Sequence, residues 1–104
     1  MREFIDLEGA SGRTYRFRLW REGDAHQPIA GSYVYVRIAD QDMEVLGVGV
    51  TNDLSAARRP LPRLKTLEVA QVYTRLNVSR AARGSEHQDL VARYQPQFVG
   101  EEAA

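Results

Sequence analysis

The segment from Ser32 to Ala39 alternates between two kinds of side chain and constrains the fold more than any other part of the sequence. Successive side chains of a β-strand point to opposite faces, so the pattern separates aliphatic residues from two tyrosines and an arginine. The two sets are Val34, Val36 and Ile38, and Tyr33, Tyr35 and Arg37. The sequence therefore predicts a β-strand whose two faces both matter to the fold.

A β-hairpin is predicted near the N-terminus. Phe4 to Glu8 and Thr14 to Trp20 both alternate in side-chain type, and the stretch 9–12 between them supplies turn residues. In the second of these strands Arg16 and Arg18 face away from the apolar side chains. The polar stretch from Arg21 to Gly31 is predicted to be a loop.

Two further strands are predicted after the central one. Glu44 to Thr51 is interrupted by Gly47 and Gly49, and glycine inside a strand is usually kept for a bulge or for the close approach of another group. Glu68 to Asn77 alternates again and predicts the third strand of the central region.

Two helices complete the predicted elements. Asn52 or Asp53 can cap a short helix from Leu54 to about Arg59, which Pro60 and Pro62 end.

The second helix is capped by Ser79 and runs to Tyr94, before Pro96. Helical spacing aligns one of its faces with the sheet, and the residues on that stripe are Ala82, Glu86, Leu90 and Tyr94. A carboxylate on a packed stripe is costly unless it is paired, hydrated or bound to a cation. Glu86 is thus expected to be ion-paired with an arginine, open to water at the stripe edge, or bound to a metal.

The composition argues against a disulfide-bonded, secreted or membrane-spanning protein. A chain of 104 residues without cysteine is expected to form one domain over residues 1–104, with no disulfide and no thiolate site. No stretch approaches the roughly 20 apolar residues of a membrane span, and the N-terminus is not a signal peptide, which predicts a cytoplasmic protein without a membrane partner. The net charge is zero, yet Leu54 to Gly84 contains seven basic residues and one acid.

Three motifs occur in a recognisable order. They are Gly31-Ser32-Tyr33, the stretch from Gly47 to Leu54 that reads GVGVTNDL, and the stretch from Glu86 through Tyr94 to Pro96. Over about residues 30–98 this order resembles the GIY-YIG nuclease family. The resemblance implies an α/β (α+β) domain with a three-stranded antiparallel sheet flanked by helices, to which residues 1–22 add a hairpin.

The resemblance also implies a metal-dependent endonuclease that hydrolyses DNA phosphodiesters. Tyr33 would help to activate water, Arg58 would hold the phosphate, and Glu86 would bind Mg²⁺ or Mn²⁺. Further contacts to nucleic acid are assigned to Tyr35, Arg63, Lys65 and Arg75.

Two other functions stay open at this point. Gly47 stands where the family has its second tyrosine, and Arg58 lies one place after the position of the family's arginine. The chain could therefore be a catalytically inactive nucleic-acid-binding module on the same scaffold. The other function is a protein-interaction domain in which Glu86 is merely ion-paired.

Overall fold

Six β-strands form one mixed sheet in the computed structural model, which describes residues 2–61 and 70–101. The strands are β1 (Phe4–Glu8), β2 (Thr14–Trp20), β3 (Gly31–Ala39), β4 (Asp42–Thr51), β5 (Gln71–Leu76) and β6 (Phe98–Gly100). Their order across the sheet is β1-β2-β5-β3-β4-β6, and all neighbours are antiparallel except β4 and β6. With one helix, α1 (Arg80–Tyr94), packed on this sheet, the chain has an α+β fold.

The predicted hairpin has the observed bounds, but it belongs to the sheet. Strand β2 pairs with β5 over three residue pairs, from Arg18↔Thr74 to Trp20↔Val72. On the far side, β6 pairs in parallel with β4. The three antiparallel strands β4-β3-β5 are present, yet the prediction of a three-stranded sheet was incomplete, because β2 and β6 occupy the two edges that it left open.

Local capping explains where the helices begin. Ser79 is the N-cap of α1 and accepts a hydrogen bond from the Ala82 amide. Asp53 accepts from the Ser55 amide and starts a single 3-10 turn, Leu54–Ala56, which is shorter than the predicted helix. Strand β5 begins at Gln71; residues 68 and 69 of the predicted strand lie outside the described residues.

Apolar side chains pack on both faces of the sheet. The helix-facing core includes Ile5, Leu7, Tyr15, Phe17, Leu19, Val34, Val36, Val48, Tyr73 and Leu90. The core of the opposite face contains Trp20, Tyr33, Tyr35, Leu46, Leu54, Ala57 and Val72. The two-faced pattern predicted for β3 is confirmed, since Val34 and Tyr35 are both fully buried but in different cores.

The glycines of β4 make room for aromatic rings. A β-carbon built on Gly49 would collide with the Tyr33 ring, and one on Gly47 would press on Tyr35 and Phe98. The expected close approach of another group is confirmed.

The buried stripe of α1 differs from the predicted one. Arg83, His87 and Leu90 are the buried residues of the helix, whereas Glu86 is only partly buried. The helix is rotated so that the residue after Glu86 meets the sheet. Glu86 therefore lies at the edge of the stripe, one of the positions that the sequence left open.

Candidate functional site

Tyr33 and Tyr35 are packed into the core of the sheet face away from α1. Tyr33 is 6% exposed and Tyr35 is completely buried, with their ring centroids 5.5 Å apart. The Tyr35 hydroxyl donates to the Ala57 carbonyl at 2.5 Å. Burial raises the pKa of both phenols. The Tyr35 side chain, predicted to contact nucleic acid, is therefore closed off from solvent, and a deprotonated Tyr33 is disfavoured.

Arg58 lies on the same face as the tyrosines but is held by Trp20. Its guanidinium carbon is 4.7 Å from the centre of the indole ring, and the group donates a hydrogen bond to the Trp20 carbonyl. Desolvation lowers the pKa of Arg58. The guanidinium is thus occupied by cation–π and backbone contacts rather than presented to a phosphate.

Glu86 lies on the other side of the sheet, in an ion pair with Arg75. The Arg75 Nε donates to the Glu86 Oε1 at 2.8 Å, and the two side chains are 31% and 16% exposed. The Arg75 guanidinium also stands 5.6 Å from the centre of the Tyr15 ring. Among the predicted alternatives for Glu86, the structure contains the arginine ion pair.

The three predicted catalytic side chains do not meet. Arg75 pairs with Ser32 across the β3–β5 ladder, and Thr74 pairs with Tyr33. Because neighbouring residues of a strand point to opposite faces, the side chains of Arg75 and Tyr33 leave the sheet on opposite sides. The sheet therefore separates Glu86 from Tyr33 and Arg58, and the site predicted from these three residues is not assembled.

At Glu86, the predicted metal ligand, an arginine occupies one carboxylate oxygen, whereas Mg²⁺ needs free oxygen ligands. In residues 2–61 and 70–101, no three histidine, aspartate or glutamate side chains group around a common metal position. Arg63 and Lys65, two of the predicted nucleic-acid contacts, lie outside the described residues.

A different site opens where β2 and β5 part. Their ladder ends at Arg18↔Thr74, although the strands continue to Thr14 and Leu76. A groove of about 580 Å³ lies there, closed on one side by the loop that carries His26. The His26 Nε2 lies 2.8 Å from the Thr74 hydroxyl, which holds the loop against β5. We call this the β2–β5 groove.

Arginines dominate the lining of the β2–β5 groove. Three exposed arginines and one aspartate line it, namely Arg16, Arg18, Arg21 and Asp24, whereas Arg75, which also borders it, has its guanidinium paired with Glu86. The side chains of Arg16, Arg18 and Arg21 are 65%, 68% and 58% exposed. Arg18 and Arg21 share one carboxylate, that of Glu3, at 3.9 and 4.0 Å. Exposed pairs of this length are weak, so both guanidiniums can exchange the carboxylate for another anion.

Apolar side chains complete the groove. Phe4 is 43% exposed and Leu76 is 54% exposed, and both line it. The guanidinium carbons of Arg16 and Arg18 stand 5.5 and 5.9 Å from the centre of the Phe4 ring. The lining thus combines cations with an exposed aromatic ring.

Comparison with known proteins gave no relatives. The chain matches no family model, no curated protein and no solved structure. In the described part of the chain, no helix has the length and apolar character needed to cross a membrane.

A signal for the groove was present in the sequence. The alternation of β2 placed Arg16 and Arg18 together on the face away from the apolar residues. The contribution of the loop could not be read in the same way, because its contact with Thr74 joins positions 48 residues apart.

Proposed function

We propose that this chain is a nucleic-acid-binding module on a GIY-YIG-like scaffold, without the nuclease reaction, and that DNA binds in the β2–β5 groove. The observation that carries the proposal is the row of exposed arginines along this groove. Phosphates are anions that arginine side chains bind with two parallel hydrogen bonds.

The charge distribution supports binding at this place rather than over the whole surface. With a net charge of zero, the chain has no overall field that attracts polyanions. Arginines outnumber aspartates in the lining of the groove, so this region attracts phosphates. The nuclease alternative receives no such support, because Glu86 is bound to Arg75 on the far side of the sheet.

A fluorescence anisotropy titration tests the proposal, with a labelled DNA hairpin that carries a single-stranded tail. We expect binding to weaken steeply as salt rises, with a slope of about −0.9 per phosphate contact in a duplex and about −0.7 in a single strand. The double variant Arg18→Gln/Arg21→Gln should bind more weakly and show a slope shallower by roughly two contacts.

The matched control is Arg37→Gln. Arg37 is also an exposed strand arginine, paired with Glu44 across the β3–β4 ladder, but it does not line the groove. Affinity should be unchanged in this variant. Absence of binding at low salt, or binding whose affinity does not change with salt, contradicts the proposal. If the protein nicks DNA in Mg²⁺ and Glu86→Ala abolishes this activity, the nuclease hypothesis is restored.

A further inference from the structure

Phe4 is the feature of the β2–β5 groove that phosphate binding leaves unexplained. Phe4 lies on the edge strand β1 and is 43% exposed. Its neighbours are the guanidiniums of Arg16 and Arg18, within 6 Å of the ring centre. An exposed aromatic ring with adjacent arginines is the combination on which unpaired bases stack.

Duplex DNA can use the arginines of this surface but not its exposed aromatic ring. In a double helix the faces of the bases are already stacked on one another, and the protein meets only phosphates and base edges. An unpaired strand exposes the faces of its bases together with its phosphates. The β2–β5 groove offers partners for both, because Phe4 and Leu76 are exposed beside Arg18 and Arg21.

We propose that the β2–β5 groove selects single-stranded DNA, with a base stacked on Phe4 and the adjacent phosphates held by Arg18 and Arg21. This inference rests on the proposed function and adds the form of DNA that the groove recognises. Glu3, which both arginines share in the free protein, is the anion that the phosphates displace.

The test compares labelled oligothymidylate of about 16 nucleotides, the upper end of the site size for single-strand-binding folds, with a duplex of the same length. We expect the single strand to bind roughly tenfold more tightly than the duplex. Phe4→Ala should weaken single-strand binding roughly tenfold and leave duplex binding unchanged, whereas Phe4→Trp should restore it.

Val99→Ala is the matched control for the loss of an exposed apolar side chain. Val99 is 41% exposed on β6, at the opposite edge of the sheet from Phe4. Affinity for oligothymidylate should be unchanged in this variant, and circular dichroism should show that all three variants are folded.

Failure of the single-strand inference and failure of the proposed function give different results. The single-strand inference is overturned if single strand and duplex bind equally well and Phe4→Ala binds like wild type. If Arg18→Gln/Arg21→Gln still weakens binding in that case, the proposed function stands. Binding to neither form of DNA overturns both. Displacement of oligothymidylate by polyglutamate at equal charge concentration overturns the inference as well, since it assigns the groove to acidic peptides.

Discussion

Single residues in this fold are constrained by the space around them. Gly49 and Gly84 differ in the space that is available for a side chain. A side chain at Gly49 would overlap the Tyr33 ring, while one at Gly84, in α1, would meet nothing within 4 Å. The same substitution should therefore have opposite effects at the two positions.

We expect Gly49→Ala to lower the free energy of unfolding by about 1–3 kcal/mol, because the core on that face must shift. Gly84→Ala should raise it by up to about 1 kcal/mol, since alanine is the better helix former. Urea unfolding followed by circular dichroism measures both. A neutral Gly49→Ala would mean that Tyr33 does not pack over β4.

The ion pair of Glu86 with Arg75 should contribute to the stability of the fold. The hydrogen bond from Arg75 to Glu86 is mostly buried, so Glu86→Gln should lower the free energy of unfolding by about 1–2 kcal/mol. Glu44→Gln, which removes an exposed ion pair with Arg37, should change it by less than about 0.5 kcal/mol. Equal effects in the two variants would contradict the structural role of Glu86.

His87 should make stability depend on pH. Burial lowers its pKa below the ordinary 6.5, and neither ring nitrogen has a hydrogen-bond partner among the described residues. The unfolded chain therefore takes up a proton first, and stability that is fully present above pH 6.5 is lost as the pH falls below it.

Unfolding in urea at several pH values between neutral and mildly acidic measures this effect. We expect wild type to lose stability over that range and His87→Met to lose less. His26→Gln, which removes the histidine that contacts Thr74 at the groove, is measured alongside as a control. A His87→Met curve that parallels wild type would contradict the assignment to His87.

At the scale of elements, one carboxylate joins the hairpin to the helix. Asp89 of α1 accepts hydrogen bonds from the Ser11 amide at 2.8 Å, the Ser11 hydroxyl at 2.6 Å and the Tyr15 hydroxyl at 2.7 Å. Gly9 lies so close to Asp89 that a β-carbon there would overlap the carboxylate. These hydrogen bonds thus hold the turn of the hairpin against α1.

The hydrogen bonds from Ser11 and Tyr15 lower the pKa of Asp89 below 3.8. The stabilisation is therefore present above the ordinary aspartate pKa and is lost as the pH falls through the lowered value. Asp89→Asn should unfold at a lower temperature than wild type at neutral pH. The difference should shrink in acid, where thermal unfolding of the two proteins is compared; a constant difference would contradict the role of the charge.

Regular elements could be predicted from local pattern, and contacts between them could not. The hairpin and the central strand follow from the alternation of side chains, and the final helix follows from its Ser79 cap. Both signals involve residues that are close together in the chain. The three-residue strand β6 has no such pattern and exists through its pairing with β4. The rotation of α1, which buries His87 instead of Glu86, is likewise decided by packing on the sheet.

The candidate site was harder to predict for the same reason. Tyr33 and Arg58 were placed on the correct strand and turn, but the sequence does not state which face of the sheet the helix covers. One consequence was that Glu86 was expected beside them. Only the arginines of β2 were visible as a local pattern, and their combination with Phe4 depends on the pairing Phe4↔Arg18.

At the scale of the whole molecule, the sheet has two sides with different roles. One is covered by α1 and contains the Arg75–Glu86 pair. The other carries the buried tyrosines at its centre and the β2–β5 groove toward the β1 edge. We propose that DNA binds at this groove, on the side of the sheet away from Glu86.

Backbone amide chemical shifts, followed by NMR during a titration with oligothymidylate, show which residues contact the DNA. We expect the largest changes along the groove, at Phe4, Arg18, Arg21, His26 and Leu76, with those of α1 unchanged. Changes centred on Glu86 and its neighbours in the helix, with the groove silent, would contradict the account.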